Sequence, residues 1–402
     1  MKKLEKSVPV IRFKGFSEAW EQRKLGEDVN FLNGRAYSQK ELLDKGKYKV
    51  LRVGNFNTND RWYYSDLELE ENKYANRGDL LYLWATNFGP EIWNQEKVIY
   101  HYHIWKLKIM NINVSKQYLY TWLITDKERI KQSTNGTTMV HVTKGHIEQR
   151  EFQIPPNLTE QQKIGTFFKQ LDDTIALHQR KLDTLKLMKK AFSQQIFPEN
   201  NRKKPKIRFT SFYEEWEQRK IGEYGYFYYG KSAPKWSVAQ DATTPCVRYG
   251  ELYTKFGPEI DIVHSYTNID KSNLKFSSGN EVLVPRVGEN PLDFANCSWL
   301  SISNVAIGEM ISVYNTEQYP LFIAYYFRSK MKYEFAKRVE GGNVSNLYYS
   351  YLEDILISVP SIEEQKKIAE FLNKIDITIN LLQNKLGRIK ELKKAYLQNM
   401  FI

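Results

Sequence analysis

The chain of 402 residues holds only two cysteines, Cys246 and Cys297. That is too few for a disulfide scaffold or a cysteine-ligated metal cluster, and it fits a reducing compartment. No apolar run approaches the roughly 18 residues that a membrane-spanning helix needs. Lys2, Lys3 and Lys6 lead into no apolar stretch of a signal peptide. The expectation is a cytoplasmic protein with no membrane partner. Catalytic signatures are missing too. There is no Gly-x-Gly-x-x-Gly, no Asp-Pro-Pro-Tyr type tetrapeptide of amino-methyltransferases, no nuclease carboxylate and lysine set, and no histidine constellation around either cysteine. These absences together favour a binding or scaffold protein over an enzyme.

What the chain does have is basic charge and enough apolar material for real cores. Lys and Arg number 59 against 47 Asp and Glu, a net charge of +12, and 42% of residues are hydrophobic. A polyanionic partner is the natural reading of that balance. The length fits two globular units.

The chain also repeats itself. Pro9 to Glu27, PVIRFKGFSEAWEQRKLGE, matches Pro205 to Glu223, PKIRFTSFYEEWEQRKIGE, at 13 of 19 positions. Pro156 to Phe197 matches Pro360 to Phe401 at 19 of 42. The intervening middles, Asp28 to Gln153 and Tyr224 to Ser358, look largely different. A few landmarks survive: Arg52-x-Gly54 answers Arg248-x-Gly250, and Gly78 before LLYL answers Gly279 before EVLV. Two equivalent frames thus carry two divergent globules, the pattern expected when two copies must read different things. The divisions are residues 1–155 for the first globule, 156–200 for a long helix and linker, 201–358 for the second globule and 359–402 for a second long helix.

Periodicity supplies the coarse structure. Ile164, Phe168, Leu171, Ile175, Leu182 and Leu185 fall on alternating steps of four and three, with His178 and Lys189 in the gaps. Ile368, Leu372, Ile375, Ile379, Leu386 and Ile389 repeat this heptad seam. The spacing predicts two helices, starting at Thr159-Glu160 and Glu363-Glu364, that pack on each other through these faces. The middles read as mixed α and β, with strands at Tyr48 to Val53, Leu80 to Trp84, His101 to Ile109, Val282 to Pro285 and Ser303 to Ile311, and helices at Gln117 to Ile130 and Tyr319 to Arg338.

Two local motifs invite chemistry and are set aside. Gly225 to Ser232 satisfies Gly-x-x-x-x-Gly-Lys-Ser, yet four bulky aromatics fill its variable positions, where a phosphate loop needs backbone N–H groups to close around an anion. An aromatic strand leading into a basic loop is the better reading. His101-x-His103 would put two imidazoles on one face of a strand, but no further metal ligands accompany them.

The remaining candidates are basic and amide-bearing loop residues suited to phosphates and base edges. Arg35, Tyr37 and Lys40 occupy the same place after the entry segment as Lys231, Ser232 and Lys235. Arg52, Asn55 and Asn57 correspond to Arg248, Tyr249 and Glu251. Arg286 adds a cation, and Asn135-Gly136 and Gly341-Gly342-Asn343 are loops able to approach a backbone closely. Arg to guanine, Asn to adenine and Glu to cytosine N4 are the pairings of a major-groove reader, with Lys on phosphates.

The doubled W-E-Q-R-K-[LI]-G-E at Trp20 to Glu27 and Trp216 to Glu223 resembles the specificity subunits of type I restriction-modification systems. So does the doubled proline followed by E-Q-x-K-I, in which Pro156, Glu160, Gln161, Lys163 and Ile164 answer Pro360, Glu364, Gln365, Lys367 and Ile368. Arg248 to Tyr253, RYGELY, resembles their target-recognition domains. The resemblance covers essentially the whole length. It implies an α+β fold of two mixed α/β target-recognition domains separated by two long antiparallel coiled-coil helices, with an internal pseudo-twofold repeat. It implies that each domain reads one half of a bipartite, asymmetric site in double-stranded DNA. It also implies no catalytic centre, metal or cofactor on this chain: two modification subunits carry S-adenosylmethionine, and two restriction subunits add ATP- and Mg-dependent translocation and cleavage. A stand-alone DNA-binding regulator, or an enzyme using the Gly225 to Ser232 loop, are the other readings.

Overall fold

The computed structural model describes residues 8–56, 59–85, 88–133, 142–199, 202–239 and 241–401. The chain forms two compact units. One comprises Met1–Gln179 with Asn384–Ile402, the other Arg180–Gln383.

In the first unit the entry strand Glu21–Lys24 pairs antiparallel with the exit strand Glu151–Ile154, so the two ends of the middle segment are tied together. Between them lie two four-stranded sheets. The first is antiparallel and runs in the order Val29–Asn33, Ile104–Ile109, Leu80–Leu83, Gly89–Ile92. The second has the order Tyr63–Ser65, Tyr48–Leu51, Val98–Tyr100, Tyr74–Ala75, and its two central strands are parallel. The helix Lys116–Ser133 buries Tyr118, Leu119, Trp122 and Leu123, one helical face, in a core shared with Leu80, Tyr82 and Phe152.

The second unit repeats this plan. Glu217–Lys220 pairs antiparallel with Leu356–Val359. A five-stranded sheet has the order Gly225–Tyr229, Ile311–Thr316, Glu281–Pro285, Ser298–Leu300, Glu259–Ile260. A four-stranded sheet has the order Ser265–Thr267, Thr244–Val247, Ser303–Ile307, Phe276–Ser278, again with a parallel central pair. The helix Pro320–Lys330 takes the place of the first unit's Lys116–Ser133 and is buried through Tyr326 and Phe327.

The repeated motif has a physical cause. Arg12 donates from Nε and Nη2 to both carboxylate oxygens of Glu160 at 2.6 and 2.8 Å, and Arg208 does the same to Glu364 at 2.7 and 2.8 Å. Both glutamates are fully buried. These hydrogen bonds hold both guanidinium groups above the ordinary arginine range. The neighbouring glutamine closes the other side. Gln161 donates to the carbonyls of Asn113 and Pro155 and accepts from the amide of Ser115, one residue before the helix Lys116–Ser133. Gln365 donates to Gln318 Oε1 and the Pro360 carbonyl and accepts from the amide of Tyr319, one residue before the helix Pro320–Lys330. The motif lysine lies over an entry-segment ring, Lys163 over Phe16 and Lys367 over Phe212, at 5.0 Å in both.

The two long helices are Leu158–Gln195 and Ile362–Asn399, 38 residues each, or about 57 Å at 1.5 Å per residue. In the first unit the start of one runs beside the end of the other, with Phe167 edge-on to Tyr396 and Lys393 Nζ 2.5 Å from Asp172. In the second unit the end of the first helix meets the start of the second, with Phe192 edge-on to Phe371 and Lys189 Nζ 2.5 Å from Asp376. The pairing is antiparallel. Lys189, which interrupts the first apolar seam, and Lys393, its counterpart 204 residues on, are thus ion-pair partners of the opposite helix.

The seam itself divides. Ile164 and Phe168 are buried in the first unit's core and Ile368 and Leu372 in the second's, because the opening turns of each helix complete a globule. Leu182, Ile379 and Leu386 are buried, while Leu171, Ile175, Leu185, Ile375 and Ile389 are half-buried.

Three expected elements differ. The strand expected from His101 begins only at Ile104, because Tyr102 and His103 form a turn, so the two imidazoles do not sit on a strand face. The strand expected over Ser303 to Ile311 is broken after Ile307 by the equivalent turn. The helix expected to Arg338 ends at Lys330, and Met331 separates it from the short helix Lys332–Ala336.

Candidate nucleic-acid interface

In each globule the last residue of the parallel central strand leads into a tight turn: His101–Tyr102–His103 after Val98–Tyr100, and Gly308–Glu309–Met310 after Ser303–Ile307. The same backbone bonds enclose both. His101 N donates to the Leu51 carbonyl and Gly308 N to that of Val247, both at 2.9 Å, which seats Arg52 and Arg248 beside the turn. Arg35 N donates to the Tyr100 carbonyl at 3.1 Å and Lys231 N to that of Ile307 at 2.9 Å. Trp84 N donates to the His103 carbonyl at 3.2 Å and Arg286 N to that of Met310 at 3.0 Å. Arg35, Arg52 and Trp84 in one globule therefore occupy the places of Lys231, Arg248 and Arg286 in the other.

The close approach requires glycine. A Cβ on Gly34 would stand 2.3 Å from the His101 carbonyl oxygen, and one on Gly230 would stand 2.1 Å from that of Gly308. Gly78 and Gly279, which precede equivalent strands, both adopt left-handed backbone, with φ of +92° and +97°.

In the first site Arg35 bonds Glu41 at 2.7 Å and lies over the ring of Tyr37. Hydrogen bonds from Ser38 and Arg35 hold the Glu41 carboxyl down at about 2. Tyr37 stacks near His101, and burial raises its phenol well above the ordinary range. Burial, with His103 and Arg52 nearby, lowers His101 to about 4. Arg52 lies over the ring of Tyr63 at 4.2 Å. Trp84, Tyr102 and Trp105 line a cleft of about 530 Å³ that also touches Gly34, Val142 and Lys144.

In the second site Arg286 lies between the rings of Tyr229 and Tyr348, at 4.4 and 5.3 Å. Tyr249 faces a cleft of about 370 Å³ with Tyr253, Val287, Gly288, Asn290 and Val344, and Asn343 is exposed next to it in sequence. Among the described residues, Arg52, Arg248 and Arg286 make no ion pair. Buried guanidinium nitrogens of Arg35, Arg52 and Arg286 have no hydrogen-bond partner there. Such atoms are rare in folded proteins, and each calls for a reason such as a bound water, ion or ligand.

Other candidates fare differently. Asn55 accepts from Arg52 N and donates to the carbonyls of Asn59 and Arg61, so its amide is engaged within its own loop. Ser232 is half-buried with φ of 61°, and its carbonyl accepts from Glu309 N at 2.8 Å. Lys40 and Lys235 are exposed, the latter next to Trp236, which is 79% exposed. Asn57 and Asn135-Gly136 lie outside the described residues. Gly225–Tyr229 is a strand paired along its length with Ile311–Thr316, and the segment after Ser232 does not open a helix longer than the single turn Lys235–Ser237. The phosphate-loop geometry does not form. Both cysteines are buried, and burial pushes the Cys246 thiol up to about 11.

Sequence reasoning passed over Trp84, Tyr102 and Glu309. A partial signal existed, since Trp84 follows Gly78 by six residues and Arg286 follows Gly279 by seven. That one-residue difference hides the equivalence from alignment.

Two mixed α/β globules with paired antiparallel helices define a class of two-domain scaffold built on an internal repeat. A crystal structure of the S subunit of a type I restriction-modification system from M. genitalium has this fold: the TM-score is 0.66 at 12% identity, covering 98% of this chain and 99% of that one. The sequence matches the type I restriction modification DNA specificity domain family over residues 17–187 and 213–391. The chain belongs to that family. It is similar to the type I restriction enzyme MjaVIII specificity subunit of Methanocaldococcus jannaschii, 26% identical over 399 residues, which span 94% of this chain and 91% of that protein. It is also similar to the EcoBI specificity subunit of Escherichia coli, 23% identical over 185 residues, 44% of this chain and 38% of that protein.

Proposed function

We propose that this chain is the non-catalytic, DNA-reading subunit of a cytoplasmic type I restriction-modification complex, in which each globule reads one half of a bipartite, asymmetric site. The observation that carries this reading is the doubled site: two turns enclosed by the same backbone bonds and flanked by different side chains. Equivalent scaffolds with different contacts bind alike and read differently. In this reading Lys40, Lys231 and Lys235 engage phosphates, while Arg52, Arg248 and Arg286 read base edges or hold the strand. The helices set the gap between half-sites and dock two modification subunits, which bring S-adenosylmethionine and methylate adenine. Two restriction subunits bring ATP and Mg. No cofactor or metal belongs to this chain.

The test is expression of the chain with its modification partner, followed by single-molecule mapping of methylated adenines. A two-part motif with a fixed unread gap is expected, with no methylation from either protein alone. Methylation at a continuous motif, or by the partner alone, would overturn the reading.

A further inference from the structure

Glu309 stands at the tip of the second globule's turn. Its amide is fixed by the Ser232 carbonyl, and the residues on either side are held by Val247 and Arg286. Four non-glycine residues among those described adopt left-handed backbone, and three of them, Ser232, Ala233 and Met310, surround this tip. Such conformations persist where the surrounding fold over-determines them, and they gather at functional sites. Glu309 is exposed, and among the described residues its carboxylate takes no hydrogen bond or ion pair, although Lys231, Arg248 and Arg286 flank the same turn.

A carboxylate on a face that meets DNA is repelled by phosphates unless it pairs with a cation or meets a donor on a base edge, and Glu309 makes no pair with these cations among the described residues. In the major groove guanine presents two acceptors, thymine an acceptor and a methyl, and adenine a donor beside an acceptor. Cytosine alone presents a donor without an acceptor, its N4 amino group. We infer that Glu309 is a specificity-determining residue of the second globule and selects a cytosine in the second half-site by accepting from N4. The inference rests on the DNA-reading function proposed above. It is confined to the second half-site, because the equivalent position in the first globule is Tyr102, 41% exposed and without a carboxylate.

The experiment uses the full chain assembled with its modification subunit, and methylation is mapped on a DNA library randomised across both half-sites. The wild-type second half-site should contain a cytosine position. Glu309→Ala should relax that position, lowering discrimination against the other three bases about tenfold or more. Glu309→Gln should move the preference toward adenine, whose N6 and N7 suit an amide. The first half-site should be unchanged in both variants. The inference is overturned if both variants keep the wild-type second half-site, if the first half-site changes, or if methylation is lost everywhere while the complex still assembles. A wild-type complex that methylates no bipartite site would instead overturn the underlying reading.

Discussion

Glu160 and Glu364 are carboxylates with no exposure to water, each matched by a two-pronged arginine from the entry segment. Removing one partner of such a pair leaves an uncompensated buried charge and costs about 3 to 5 kcal/mol. Arg12→Ala and Arg208→Ala should each destabilise the protein by about that much, read as a lower urea midpoint with binding lost in proportion to unfolding. His101 makes a prediction about pH. Its folded pKa is about 4 against an ordinary 6.5, so below 6.5 the unfolded chain takes up a proton that the folded chain refuses. Stability should be at its full value above pH 6.5 and fall as the pH drops toward 4. His101→Gln should flatten that slope, and an unchanged slope in thermal melts from pH 7 to 4 would refute the assignment.

Among the elements, the turn and the strand that crosses it are limited by space. Gly230→Ala places a methyl group 2.1 Å from a backbone oxygen and must displace one of the two segments. A loss of about 1 to 3 kcal/mol is expected, with the second half-site affected and the first kept. Gly250→Ala, which meets nothing within 4 Å in the short helix Tyr249–Thr254, should be neutral or slightly stabilising. The helix pair offers a reciprocal test. Lys393→Asp and Asp172→Lys should each lower the melting temperature, and the double exchange should recover most of the loss, because the charges then face each other again with opposite order.

At the scale of the whole molecule, the strand pair Glu21–Lys24 with Glu151–Ile154 gathers both ends of the first middle segment into one place. A segment whose ends meet can be exchanged as a unit where the incoming segment keeps the bonds that Asn113 and Ser115 make to Gln161. Replacing Asp28 to Gln153 with the corresponding segment of a related subunit should change one half of the recognised DNA and leave the other intact. Methylation mapping that shows both halves altered by a folded, assembled hybrid would argue against independent readers.

Much of this was written in the order of residues. The repeat, the two helices and their apolar faces follow from local spacing, since a helical seam needs only neighbours four and three apart. The paired motifs were visible as well, but not their purpose. Arg12 lies 148 residues from Glu160, and Arg208 lies 156 from Glu364, and no local rule joins groups that far apart. The candidate site was legible only in part. Arg35, Arg52, Lys231, Arg248 and Arg286 stand out by charge, whereas the loop hydrogen bonds that engage the Asn55 amide are visible only in the fold. Trp84 and Tyr102 in one globule, and Glu309 in the other, join these residues only where separate segments close around each turn. Side-chain chemistry and periodicity are properties of the chain. Which groups stand together at a turn, and which are already satisfied there, is decided by strand pairing across the folded globule.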